Sequence, residues 1–536
     1  MTVHAQRPPL VAIGAGPLSL SVVEAIAHGA ARVGVAPEAI DRCEQADRFL
    51  DRLVGERRRI YGVTTGFGPI ADTVIHPEQS RALQRNLVYH LASGVGDQFS
   101  PAEARAIMVA RLATLAQGRS AARPEILQSL VDVLNAGLAP AIPEKGTVGA
   151  SGDLTPLAHM ALALMGEGAF LVDRTPLPAA EILKAHGLEP VVLERKDGLA
   201  LVNGTSAMTG IAALNGGALR RLLGVGVRST LLYAEAMGAR WEGWHPLVGE
   251  ARPHPGQRRI HALLREAGEG TQRLRPFARI PEPIGPTGAN GVGRADDIAQ
   301  DPYSIRCAPQ ILGAILDMLE VHDRVVETEL TSVTDNPLVF AEEETIVHGG
   351  NFMGQHVAFA ADILTNAAIQ LAVLAERQIA RITDVTLSNG LPPFLQGQAT
   401  GLQSGFMGAQ VTATALVAEM RTHAMPASIQ SIPTNGNNQD VVSMGTIAAR
   451  RCRCILRDVS RVLAIEALVL AQAYDLRIEA DDSRAFSPAS RSFHASVRGL
   501  SRRLGDDRPL SSDIESMAAT LLDPARGHEF GMAVRA

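Results

Sequence analysis

Aromatic residues are scarce in this chain of 536 residues: 2 Trp, 5 Tyr and 13 Phe amount to 4% of it. Aliphatic side chains and alanine must therefore fill the interior, and a tyrosine beside a glycine-rich motif stands out. Cysteine is scarcer still. Cys43, Cys307, Cys452 and Cys454 are too few to staple a chain of this length. Cys452 and Cys454 form one Cys-x-Cys between arginines without a second pair, so no metal site is expected and reduced thiols are. There is no excess of positive charge: 50 Lys+Arg stand against 56 Asp+Glu, a net of −6. That argues against a nucleic-acid footprint, which needs a basic face. No run reaches the ~18 uncharged apolar residues of a membrane span. The stretch 463–476 comes nearest, and Glu466 interrupts it. The opening MTVHAQRPPLVAIGAG lacks the basic segment, apolar run and cleavage site of a secretion signal. The expectation is a soluble cytoplasmic protein with neither membrane nor nucleic acid as partner.

What the chain does have is helical punctuation. Ser100-Pro101-Ala102-Glu103 reads as an N-cap, a proline at the first helical position and a glutamate at the third. Ile107, Met108, Leu112 and Leu115 follow at helical spacing, and Gly118 supplies a stop. Longer periodic segments run at roughly 204–238, 306–330, 352–389, 404–424 and 440–475. Strand-like pieces at 169–172 and 346–348 are short and scattered. The fold class is therefore mainly α, a long antiparallel bundle whose small residues let helices pack closely. Three regions are expected: 1–200, loop-rich; 201–480, the long-helix bundle; and 481–536, a C-terminal helical segment. The stretch 245–300 reads as loop-rich.

Two motifs mislead. Val11-Ala12-Ile13-Gly14-Ala15-Gly16-Pro17 looks like a dinucleotide fingerprint, but Ser19 stands where the third glycine belongs. No convincing strand precedes it and no βαβ series follows. Asn203-Gly204-Thr205 has the form of a glycosylation sequon, a reading that needs a secretion signal.

The informative block is Gly146-Thr147-Val148-Gly149-Ala150-Ser151-Gly152-Asp153-Leu154. Read alone it is a glycine-rich turn leading into a helix, with Asp153 as N-cap. Held bent, Ala-Ser-Gly can also react with itself. Its small residues let the Gly152 nitrogen approach the Ala150 carbonyl carbon. Cyclisation with loss of water, the Ser151 hydroxyl included, leaves a conjugated ring with an exposed methylidene carbon. The positive end of the following helix favours its electron-accepting character.

With this block, GTVGASGDLTPLAHMALALMGEG at 146–168, the chain resembles the aromatic amino acid ammonia-lyases and their related aminomutases. The resemblance extends over YGVTTGFGP (61–69), LVNGTSAMTG (201–210), QDPYSIRCAPQILGA (300–314), TDNPLVF (334–340), HGGNFMGQHVA (348–358), ERQIARITD (376–384), NNQDVVSMGTIAAR (437–450) and DRPLSSDI (507–514). It implies a 4-methylideneimidazole-5-one group (MIO), formed by the protein from Ala150, Ser151 and Gly152 without external cofactor. It also implies that Tyr61 is the base that takes the β-proton. An ordinary tyrosine titrates near 10, so that role calls for positive potential nearby. By the same resemblance Tyr303 assists near the ring, Gln300 and Asn203 complete a polar wall, and Phe352 packs at the ring. Arg306, three residues after Tyr303, suits a carboxylate by a bidentate pair. The resemblance implies a homotetramer whose active sites draw on more than one subunit.

Substrate choice is written at Asn86-Leu87-Val88-Tyr89-His90-Leu91-Ala92-Ser93-Gly94. In the family the pair before Ala-x-Gly is Ser-His in histidine lyases, Phe-Leu in many phenylalanine lyases and His-Leu in tyrosine lyases. Here it is His90-Leu91, so the pocket is most similar to that of bacterial tyrosine ammonia-lyases. His90 can pair with a para-hydroxyl and Leu91 offers an apolar wall. Histidine lyases carry a Glu where this chain has Gln439, a second departure from that pattern. Gln439 and Asn435, four apart, could together receive the substrate amine. The expected reaction is non-oxidative deamination of L-tyrosine to trans-4-coumarate and ammonia, with L-phenylalanine as a second substrate. The alternatives are a tyrosine 2,3-aminomutase making β-tyrosine, a histidine ammonia-lyase, and a non-catalytic relative on the same scaffold.

Overall fold

Ser100 starts its helix as the capping rules require. Its hydroxyl accepts the Glu103 N–H at 3.4 Å, and the Glu103 carboxylate accepts the Ser100 N–H at 2.8 Å. The helix runs Pro101–Leu115, and Gly118 beyond it has φ +74°. The computed structural model describes residues 8–279, 285, 287–293, 300–397, 401–480 and 483–535. Over these the chain is mainly α-helical. Its four longest helices are Ser206–Met237, Ala308–Leu330, Gln355–Thr383 and Gly445–Glu479, 32, 23, 29 and 35 residues long. They fall on the segments whose apolar periodicity marked them.

The chain forms two compact units whose boundaries fall mostly inside those helices. The first comprises Met1–Gly217, Val321–Ile363 and Met425–Arg453. Its large core is built from Leu, Ile, Val and Ala, with Phe99 and Phe170 as the aromatic members. Each fully buried Leu or Ile there stabilises the fold by about 1.5–3 kcal/mol. Close packing depends on small residues. A Cβ on Gly210 would lie 2.7 Å from the Ala106 carbonyl carbon, so this glycine lets two helices touch backbone to backbone. Among its described residues this unit holds four two-stranded sheets. Three are antiparallel, among them Ala169–Val172 with Thr175–Pro178 and Leu338–Phe340 with Thr345–Val347.

The fourth sheet corrects the sequence reading. Leu10–Ile13 is a strand after all, paired in parallel with Arg32–Val35 across the helix Leu20–Ala27. Four residues are too few to show strand periodicity, which is why the strand was not legible. It is a single βαβ turn, and the Gly14 carbonyl accepts from Arg42 Nη2 at 3.1 Å.

The second unit comprises Ala218–Glu320, Leu364–Ala424 and Cys454–Ala536. Gln472 ties its chain crossings together, donating to the carbonyls of Leu395 (3.2 Å) and Leu504 (2.8 Å) and accepting the Leu504 N–H (3.1 Å). The stretch 245–300 is less loop-like than expected. It contains the helices Pro246–Ala251 and Pro255–Ala267, each entered through a proline, though 280–284, 286 and 294–299 lie outside the described residues. Among the described residues the helix nearest to membrane-spanning length and composition is Gln355–Thr383, not 463–476, and 72% of its apolar window is buried in protein, as in a core helix.

Candidate active site

Residues 146–153 turn between the strand Pro143–Lys145 and the helix Leu154–Leu164. The turn is gripped from three directions. On one side, Thr147 Oγ1 accepts the Gly149 N–H at 3.1 Å, and the Met444 N–H bonds to the Val148 carbonyl at 2.9 Å. On a second side, Asn203 Nδ2 donates to the Ser151 carbonyl at 3.1 Å and the Asp153 N–H bonds to the Gly204 carbonyl at 2.7 Å. Gly152 has φ +70°, and a Cβ there would lie 2.1 Å from the Gly204 oxygen. Only glycine fits. On the third side, Gln439 Nε2 donates to the Ser151 hydroxyl at 3.2 Å.

Asp153 occupies the N-cap position but does not cap its own helix. Its carboxylate accepts the Met208 N–H at 2.7 Å, near the start of the Ser206–Met237 helix, and the Thr446 hydroxyl. Burial pushes this carboxyl up to about 6, against the pull of those donors.

A cavity of about 970 Å³ opens onto the turn, lined by Ala150, Ser151, Tyr61, His90, Leu91, Asn203, Phe352, Asn435 and Gln439 among others. All of these belong to the first unit. The helix Ser80–Leu91 supplies Leu83, Asn86, Leu87, His90 and Leu91, which recur at three- and four-residue spacing along one face. Partial burial lowers the His90 pKa, which favours the neutral ring. The chain beyond Leu91 is anchored by His159, whose Nε2 accepts the Gly94 N–H at 3.1 Å. Burial lowers the His159 pKa too, keeping that nitrogen an acceptor.

Tyr61 reaches the cavity on a loop stitched down by the buried Gln84. That amide donates to the Gly62 carbonyl at 2.9 Å and accepts the Leu199 N–H at 2.9 Å. The Tyr61 phenol oxygen accepts the Gly68 N–H at 2.9 Å, and its ring meets Phe67 edge-on at 6.2 Å. Among the described residues no Lys or Arg lines the cavity, and Asp440 is its one carboxylate. The positive potential expected beside Tyr61 does not come from this lining. Asn435, at φ +52°, starts a turn closed by the Thr434 N–H to the Gln439 carbonyl at 3.0 Å.

Gln300, Tyr303 and Arg306 belong to the second unit and do not line this cavity. Tyr303 is 67% exposed, and Arg306 lies over its ring at 4.5 Å while donating from Nε to the Asp301 carbonyl at 2.9 Å. Nine of the thirteen residues expected from sequence line the cavity, Gly152 lies in the turn beside it, and these three stand apart. The sequence reading missed Asn336, Met353 and Asp440 in the lining, and His159 and Gln84 behind it. For Asn336 the signal was present, since it stands in the TDNPLVF block.

The chain matches the family described as aromatic amino acid lyase over residues 18–499. It is 50% identical over 508 residues to a tyrosine ammonia-lyase of Cereibacter sphaeroides, covering 94% of this chain and 96% of that one. It is 42% identical over 502 residues to a histidine ammonia-lyase of Symbiobacterium thermophilum, covering 94% of each. Among solved structures, a tyrosine aminomutase from Streptomyces globisporus superposes with a TM-score of 0.90 at 41% identity, over 97% of both chains. The protein belongs to the aromatic amino acid lyase family and is a carbon–nitrogen lyase.

Proposed function

We propose that this protein deaminates L-tyrosine to trans-4-coumarate and ammonia, using an MIO group that it forms from Ala150, Ser151 and Gly152. The observation that carries the reading is one cavity lined together by the Ala150-Ser151 turn, Tyr61 and the His90-Leu91 pair. The turn fits the group. Gly152 has a conformation and a close contact that exclude any side chain, and Asn203 and Gln439 hold donors on both the Ser151 carbonyl and hydroxyl. When formed, the group would supply an electrophilic carbon toward the substrate amine.

The remaining work falls to side chains. Tyr61 takes the β-proton as the Cα–N bond breaks, and the Gly68 N–H holds its oxygen in place. Neutral His90 pairs with the substrate's para-hydroxyl, and Leu83, Leu87 and Leu91 exclude water from the ring. Arg306 receives the carboxylate, with Gln300 and Tyr303 beside it, supplied by a second copy of the chain in a homotetramer. Support for this sharing is the exposure of Tyr303 and its stacking with a guanidinium that, among the described residues, no carboxylate engages at hydrogen-bond distance. The 50% identity to a tyrosine ammonia-lyase supports tyrosine as substrate.

A tyrosine 2,3-aminomutase is the second reading, favoured by the 0.90 TM-score to a solved tyrosine aminomutase. One experiment separates these. Purified protein is given tyrosine, phenylalanine or histidine, and products are resolved by chromatography. Coumarate with ammonia is expected; β-tyrosine as main product would make it the mutase, urocanate a histidine lyase, and no product would overturn both readings.

A further inference from the structure

Arg111 is a fully buried cation in the first unit, on the helix Pro101–Leu115. Its Nη1 donates to the Asn203 carbonyl at 2.9 Å and reaches Ser206 Oγ at 3.5 Å, while Nε and Nη2 have no hydrogen-bond partner among the described residues. Among the described residues no carboxylate pairs with it directly. Asp335 favours its charge from a distance, but the oxygens of Asp335 are taken by Lys196 Nζ and the Asn336 N–H, both at 2.6 Å. Burial brings the guanidinium down to about 10, so it stays charged at neutral pH. A buried charge held by one short hydrogen bond is a poor way to stabilise a core, where an apolar side chain of the same size does better. Its placement points to another use.

The peptide that Arg111 holds is the one that holds the reactive turn. Asn203 offers its backbone oxygen to Arg111 and its side-chain amide to the Ser151 carbonyl. The next residue, Gly204, is wedged. A Cβ there would lie 2.3 Å from Arg111 Nη1 and 2.2 Å from the Thr334 oxygen, and the Gly204 oxygen in turn blocks any Cβ on Gly152. Arg111, Gly204 and Gly152 thus stand in file with no free space between them.

We propose that Arg111 is a positioning residue for ring formation, clamping the Asn203–Gly204 peptide against the turn so that the Gly152 nitrogen is held at the Ala150 carbonyl. This rests on the MIO reading above. The chemistry it serves balances without an oxidant. Gly152 N bonds to the Ala150 carbonyl carbon, and that oxygen leaves as water with the amide hydrogens of Ser151 and Gly152. The Ser151 hydroxyl leaves as a second water with the hydrogen of its own Cα. Loss of that Cα proton puts negative charge on the Ser151 carbonyl oxygen, where Asn203 Nδ2 already donates. Arg111 fixes the donor; Asn203 delivers it.

The test follows dehydration of the 146–168 peptide by mass spectrometry in wild type, Arg111→Met and Arg111→Lys, beside circular dichroism and thermal unfolding of each. Both variants are expected to fold, with ring formation slowed about ten- to a hundredfold in Arg111→Met and less in Arg111→Lys. Wild-type extent and rate of dehydration in a folded variant would overturn the assignment. Failure of both variants to fold would also overturn it, since Arg111 would then be an ordinary core residue. If the wild-type peptide itself keeps both waters, the ring reading falls first and this inference with it.

Discussion

Gln439 Nε2 donates to the Ser151 hydroxyl at 3.2 Å, and the other end of the same amide accepts from Thr434 Oγ1 at 2.9 Å. The amide therefore cannot rotate away, and the hydroxyl it holds is the one that must leave if the ring forms. Ser151→Ala removes that leaving group. Activity on tyrosine is expected to fall roughly a thousandfold or more, because the residual side chains lack an electrophile. The mutant peptide should not show the loss of two waters, since the second one is built from the Ser151 hydroxyl, and its thermal midpoint should stay near wild type. Substantial ammonia release by Ser151→Ala would sink the mechanism.

His90 lines the cavity on the helix face that also presents Leu83 and Leu87, and the proposed reading gives it the substrate's para-hydroxyl. His90→Phe removes the hydroxyl's partner and adds an apolar ring. The ratio of kcat/KM for tyrosine over phenylalanine should drop by roughly ten- to a hundredfold, as expected for a hydroxyl left unpaired on binding. Steady-state kinetics on both substrates measure it. An unchanged ratio would remove His90 from substrate recognition.

The sharing of sites between subunits has its own test. Ser151→Ala and Tyr303→Phe lie in different units of the chain, and each should be inactive or nearly so alone. If sites are built from two copies, mixed oligomers should recover roughly a quarter of the sites by random assembly. Co-expression of the two variants with differently tagged chains, followed by purification of the hybrids, reads this directly. Hybrids no more active than the parents would mean that each chain builds its site alone.

What could be read from sequence was the chemistry that is local in the chain. The Ala150-Ser151-Gly152 turn, the Ser100 cap and the long periodic helices each need only neighbouring residues to be recognised, and the structure has all of them. What escaped depends on side chains meeting across long separations. Arg111 and Asn203 are 92 residues apart, and His159 and Gly94 are 65 apart. Nothing in either local segment distinguishes such a residue from ordinary helix. Asp153 shows the same limit, since position alone made it a cap while its carboxylate turned to Met208 and Thr446.

Glu466 interrupts the apolar run 463–476, and the structure buries it almost completely, with the Ser229 hydroxyl as a polar neighbour that offsets little of that burial. Burial pushes its pKa up from 4.5 to about 8, so it is mostly neutral at pH 7. Tyr233 nearby is pushed up to about 12 and stays protonated throughout. The sign of the consequence is fixed. A carboxyl raised in the folded state contributes stability that is complete below about pH 4.5 and is lost as pH rises through about 8. Glu466→Gln keeps the shape and removes the titration, worth on the order of a few kcal/mol at the alkaline end. Wild type and variant should unfold within about 1 °C of each other at pH 5, and the variant should be about 2–5 °C more stable at pH 9. Thermal unfolding followed by circular dichroism across that range decides it: parallel curves for the two proteins would show that Glu466 is already ionised in the fold.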